Sequence, residues 1–237
     1  MNKHLTNYNS KHEISNDAST IHSDGNGEAA IRRRLEEIVN RIIISGHTCE
    51  SDGLSYGKMG IVIFLFHYAR YSRDNSFENN AMELIEEIQA SLQIDDFLDH
   101  AFGLSGIGSG IEYLAQHGFI DPETDELLEE FDNLFAEQVE KRKLYLSAQD
   151  LTDLKRYFTA RLENPQTKRR DFLLQTMEAV SAIQELHNKV FVELEDTLPR
   201  KFRSDDPVIW GLEGLAGKGL SLLSALDPQH NAWVKLK

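Results

Sequence analysis

Apolar residues recur along this chain at three- and four-residue spacing, and nowhere do they alternate over a sustained stretch. From Glu28 onward, Ile31, Leu35, Ile38, Val39 and Ile42 form one stripe with charge on the opposite face, predicting a first helix. The run 61–66 predicts a second helix that is apolar nearly all round. Ala81, Leu84, Ile85, Ile88 and Leu92 mark a third, opening near Asp74-Asn75-Ser76, and a fourth follows Gly106. The fifth is signalled by Asp121-Pro122-Glu123-Thr124-Asp125, an N-cap with proline in the first turn and early acids. It carries Leu127, Leu128, Phe131, Leu134 and Phe135 on one face. A sixth spans about 151–162 and ends before Pro165, and a seventh runs from about 168 to 198, where Pro199 stops it. The last begins after Gly214 and stops at Asp227-Pro228. The pattern predicts an all-α fold.

The helices are of two kinds. One kind is amphipathic, as an outer helix should be. The other opens on a glycine cassette and is apolar on most sides, as an inner helix should be. Three cassettes recur: Gly53-Leu54-Ser55-Tyr56-Gly57-Lys58-Met59-Gly60, Gly103-Leu104-Ser105-Gly106-Ile107-Gly108-Ser109-Gly110, and Gly211-Leu212-Glu213-Gly214-Leu215-Ala216-Gly217-Lys218-Gly219. A Gly-x-x-Gly step at a helix mouth admits φ > 0 and lets another helix approach closely. Outer and inner helices paired repeatedly along a chain predict an α-hairpin solenoid or toroid.

The cassettes resemble those of the lanthionine synthetase C-like (LanC-like) family, in which each α-hairpin carries Gly-x-x-Gly at the start of an inner helix. Gly57 and Gly60 are similar to the first hairpin of that family, Gly103 and Gly106 to the second, and Gly214 and Gly217 to the closing one, with Trp233 following as the family's terminal tryptophan does. The resemblance covers about residues 28–237 and implies an α/α-toroid-like array of about four helical hairpins, a shortened form of the family's ring. Residues 1–27 are polar, lack periodicity and read as a mobile tail ahead of that single domain. The step from Gly57 to Gly103 is 46 residues, and a second step of that size lands near position 149. There the chain has Asp150 and Asp153 where two glycines would stand, so a close backbone approach is not expected. Leu146 stands where the resemblance implies a catalytic aspartate after Tyr145.

The resemblance also implies zinc, bound by a cysteine and then a Cys-His pair. The chain carries one cysteine, Cys49, so that ligand set cannot be assembled from it, and no internal disulfide is possible. Neither a metal site nor a cofactor is expected. What the resemblance implies is the scaffold, with a non-catalytic role: an accessory protein that binds a precursor peptide or a peptide-maturation enzyme. Two alternatives stand beside it. One is a zinc-independent peptide-modifying enzyme relying on Cys49 or His100. The other is a plain helical-repeat scaffold.

The formal charge of -14, from 25 basic and 39 acidic side chains, disfavours nucleic acid and anionic membrane as partners and leaves room for a basic peptide. The residues 1–8 show no apolar core of a signal peptide, and 61–66 is too short to span a bilayer, so a cytoplasmic protein without membrane insertion is expected. An incomplete ring would expose an apolar flank, which predicts a partner surface or a homodimer.

No residue earns a catalytic assignment. His67 reads as a core-edge histidine, and His117 before Gly118 as a helix-terminal cap. His100 could point into a central cavity. Asp150 and Asp153, three apart, share a helix face and could form a carboxylate pair, although acids at a helix N-terminus are explained by the dipole alone.

Overall fold

The computed structural model describes residues 25–92, 98–142, 146–190 and 209–236. Among them every regular element is helical. The helices are α1 (Gly25–Ser45), α2 (Lys58–Ser72), α3 (Ser76–Ser91), α4 (Leu104–Gln116), α5 (Asp125–Arg142), α6 (Ala148–Glu163), α7 (Arg170–Val190) and α8 (Leu215–Leu226). A 3-10 turn, Gly46–Thr48, follows α1, and a 3-10 segment, Pro228–Leu236, follows α8.

The local chemistry explains most boundaries. Gly57, Gly103 and Gly214 are the N-cap residues of α2, α4 and α8. Ser147 caps α6 in a reciprocal box: its hydroxyl accepts from the Asp150 N–H while the Asp150 carboxylate accepts from the Ser147 N–H. α6 gives way at Asn164, before Pro165. Helix α1 opens three residues ahead of the expected Glu28, and the polar residues 1–24 lie outside the described residues. The expected reach of α7 to 198 and its stop at Pro199 also lie outside them.

Helix α5 departs from expectation at its start. Asp121 makes a local turn, its carboxylate accepting from the Glu123 N–H, and the helix opens only after Thr124, whose carbonyl takes the Leu128 N–H. The buried stripe is Leu128, Phe131, Asp132, Phe135 and Val139, whereas Leu127 is half exposed.

α2 and α4 are buried on nearly every side, as their apolar runs predict. α2 lies between α8 and α4, and α4 in turn packs against α6. These four helices therefore follow one another in space in the order α8, α2, α4, α6. α1 packs on α8, α3 on α2 and α7 on α6, while α5 contacts α7 and α4. One continuous apolar core links all eight helices, from Leu35 and Ile38 of α1 to Leu220 and Leu223 of α8.

Candidate functional site

The glycine cassettes meet in one layer at the N-terminal ends of the inner helices. Their loops join backbone to backbone, in the order of the helices they start. The Ser55 N–H donates to the Ala101 carbonyl at 3.0 Å, tying the first loop to the second. On its other side the Leu212 N–H donates to Leu54 O at 3.2 Å and the Glu213 N–H to Ser55 O at 2.8 Å, tying it to the third. The Tyr56 ring stacks on Phe102 with centroids 4.7 Å apart.

Close approach, not backbone conformation, is what requires these glycines. The N-cap glycines 57, 103 and 214 have φ of -125°, -117° and -123°, and among the described glycines only Gly118 has a positive φ, 65°. A Cβ on Gly60 would stand 2.5 Å from Leu54 O and 2.6 Å from Leu212 N, inside the contact between two loops. A Cβ would overlap the carbonyl of Ser51 at Gly57, His100 at Gly106, Ile209 at Gly214 and Leu212 at Gly217.

The fourth unit joins the layer by another route. Asp150 turns back to the Ser147 cap, while Asp153 is buried, so the two carboxylates do not act as a pair. Asp153 Oδ2 accepts from the His100 backbone N–H at 3.1 Å, and its Oδ1 accepts from Gln149 at 2.8 Å. A side-chain carboxylate thus serves at α6 where a neighbouring carbonyl serves in the other loops. Leu146 is buried and apolar.

His100 is buried in the same place. Its Nε2 lies 3.1 Å from the Leu236 carbonyl, and its Nδ1 is buried without a hydrogen-bond partner. Burial holds its pKa below the ordinary histidine value. The ring therefore meets the chain's own segment 228–236.

A second histidine cluster lies further along α2 and α4. His67 is buried in α2, with Nε2 at 2.7 Å from the Tyr113 hydroxyl and Nδ1 at 2.9 Å from His230 Nδ1. Burial, followed by the neighbouring His230, Arg70 and His117, pushes the His67 pKa down to about 3. Burial also pushes the Tyr113 phenol up and His230 down. His67 is a core histidine, as read from the sequence, but its partner His230 had no signal beyond its place before Trp233. His117 caps α4: its backbone N–H and Nδ1 both donate to Tyr113 O, the latter at 2.8 Å.

A third cluster was not foreseen. Arg161, on the buried face of α6, reaches Glu112 of α4 at 2.5 Å, Asp132 of α5 at 2.9 Å and Asp125 at 2.8 Å. Arg161, Glu112 and Asp132 are each 0% exposed, so this ion cluster sits in the core. Thr124 donates to Glu112 at 2.5 Å, Asn164 donates to it at 2.8 Å, and Tyr157 donates to Asp132 at 2.6 Å. Burial opposes the Arg161 charge, but Asp132, Tyr157 and Glu112 outweigh it and hold the guanidinium firmly protonated. The signal was present: Asp132 follows Leu128 by four residues, and Arg161 follows Tyr157 by four, so both lie on apolar stripes.

The zinc ligand set implied by the resemblance does not fit this chain. Cys49, the sole cysteine, is buried with its thiol toward Ser51 O at 3.4 Å. Among the described residues no group of three or more His, Cys, Asp or Glu could hold a metal ion, and no helix is long and apolar enough to cross a membrane. Comparison with family models, with curated proteins and with solved structures returned no match to this chain.

Proposed function

We propose that this chain is a non-catalytic binding protein built on a LanC-like array of helical hairpins, and that it serves in the maturation of a ribosomally made peptide in the cytoplasm. One observation carries the reading: the three cassettes stand side by side in a single loop layer, each opening an inner helix at a backbone contact that admits no side chain. The placement of the chemically capable side chains is in keeping with it. Asp150 and Asp153 hold a cap and a loop, and His67 holds His230. No zinc-dependent step is derived, because the chain lacks the donor set. The net charge of -14 suits a basic peptide or a basic face on a maturation enzyme.

Affinity purification of the tagged full chain from its own cells, read by mass spectrometry, tests this. Recovery of a precursor peptide, or of an enzyme that modifies one, is the expected result. Recovery of the chain alone, with light scattering showing a homodimer, would replace the proposal with a self-associating helical scaffold.

A further inference from the structure

The segment Pro228–Leu236 contacts α8 and α4, and it is held at both ends by histidines. At one end His230 meets His67 of α2 through their Nδ1 atoms at 2.9 Å, and at the other the Leu236 carbonyl meets His100 Nε2 at 3.1 Å. Between these ends Trp233 is buried, its indole N–H donating to Ser224 of α8 at 3.2 Å. We propose that His67, His100 and His230 form an acid-released clasp, which docks segment 228–236 against the inner helices when the rings are neutral and lets it go when they are protonated.

The proton inventory gives the clasp its direction. In the His67–His230 contact one Nδ1 must donate and the other accept, so at most one of them carries hydrogen at Nδ1. If both rings were imidazolium, two N–H donors would face each other at 2.9 Å. A first proton can sit on His67, whose Nε2–H then donates to the Tyr113 hydroxyl and whose Nδ1–H donates to His230, so burial opposes that proton and the donor clash opposes the second. At His100 the neutral ring donates from Nε2 to Leu236 O, and a second proton would go to Nδ1, which is buried and has no acceptor.

The charges around these rings do not reverse that direction. His67 is faced by Arg70 of its own helix, by Tyr113 and His117 of α4, and by His230. His230 is faced by Tyr71 and Arg70 of α2 and by Asp227 at the end of α8; burial nevertheless leaves its pKa lowered. His100 is faced by Asp99, and by Asp153 and Arg156 of α6, with the same net direction.

Each docked ring is thus a weaker base than a free one, so undocking takes up protons as pH falls below the ordinary histidine value of about 6.5. His67, His230 and His100 all act in the same direction. Segment 228–236 should leave first, because both of its ends rest on these histidines and, of its apolar residues, Trp233 alone is buried in the core.

The chain has two tryptophans, so Trp210→Phe leaves Trp233 as the only reporter. Acrylamide quenching of Trp233 should rise between pH 7 and pH 5 while the far-ultraviolet helical signal holds, and His67→Gln should move that rise to lower pH. On the unmodified chain, the imidazole C–H proton resonances of the three histidines should show no independent titration near pH 6.5, changing only with release. Unchanged quenching down to pH 5, quenching that rises only with loss of helix, or histidines that titrate normally while Trp233 stays buried would each overturn the clasp.

Discussion

Replacing Arg161 by Met is expected to be among the most damaging single changes in this protein. The side chain is 0% exposed and is the cation shared by Glu112 and Asp132, each also 0% exposed. Without it, Glu112 keeps only the neutral donors Thr124 and Asn164, and Asp132 keeps Tyr157 with Arg169 at 3.6 Å. Removing one partner of a buried ion pair costs about 3–5 kcal/mol, because the remaining charge stays out of water without compensation. At roughly 2–4 °C per kcal/mol for a chain of this size, the midpoint of thermal unfolding should fall by about 6–20 °C. The triple change Arg161→Met, Glu112→Gln, Asp132→Asn removes the stranded charges along with the cation. It should recover most of the loss, since neutral replacement of a buried cluster is often tolerated. Urea unfolding followed by circular dichroism measures both variants. A loss below about 1 kcal/mol for the single change, or no recovery in the triple, would refute the reasoning.

Four further outcomes follow from the loop layer, the turn at Gly118 and the ion cluster. Gly60→Ala should cost at the upper end of about 1–3 kcal/mol and speed hydrogen exchange at the Leu212 amide, because the new methyl meets backbone on both sides. Gly118→Ala, with open space but φ of 65°, should cost about 1–2 kcal/mol and leave that amide protected. Asp153→Ala should cost about 1–3 kcal/mol by stranding the buried His100 N–H, whereas Asp153→Asn keeps an acceptor and should cost less in the same denaturant assay. Burial raises the Asp125 pKa, but the Lys168 N–H and Arg161 outweigh it and leave it lowered. Its stabilising contribution is therefore present above its ordinary value of 3.8 and lost as pH falls through the lower folded value. Asp125→Asn should flatten that acid loss, read as the urea midpoint at pH 5 against pH 3.

The helices were legible because their signals are local. Pro165 marks the end of α6, Gly57 and Gly103 mark the starts of α2 and α4, and an apolar run without a polar face marks an inner helix. The glycine cassettes were legible as contacts, but the contact partner was not. No spacing rule says that Leu54 bonds Leu212 or that α8 sits beside α2. The ion cluster was hidden for a related reason. Glu112, Asp132 and Arg161 come from three helices, and although Asp132 and Arg161 fall on apolar stripes, no spacing rule pairs them until the fold brings the three together. Asp153 was legible as an acid at a helix N-terminus, but its partner was not, because that partner is a backbone N–H from another loop. His230 depends wholly on the return of segment 228–236 to α2.

The pairing of α1 with α8 bears on the order in which the protein can assemble. The units α2–α3 and α6–α7 join neighbours in sequence and close short loops. α1 reaches α2 through Arg32 and Tyr71 but packs along α8. Its apolar stripe of Leu35, Ile38, Val39 and Ile42 waits for a helix made almost at the far end of the chain, and so does the Leu54 carbonyl in the first loop. Long-range closure of this kind slows folding relative to bundles built from adjacent helices. During synthesis the apolar stripe of α1 is covered only after α8 has been made, and until then it is a surface that a chaperone can hold.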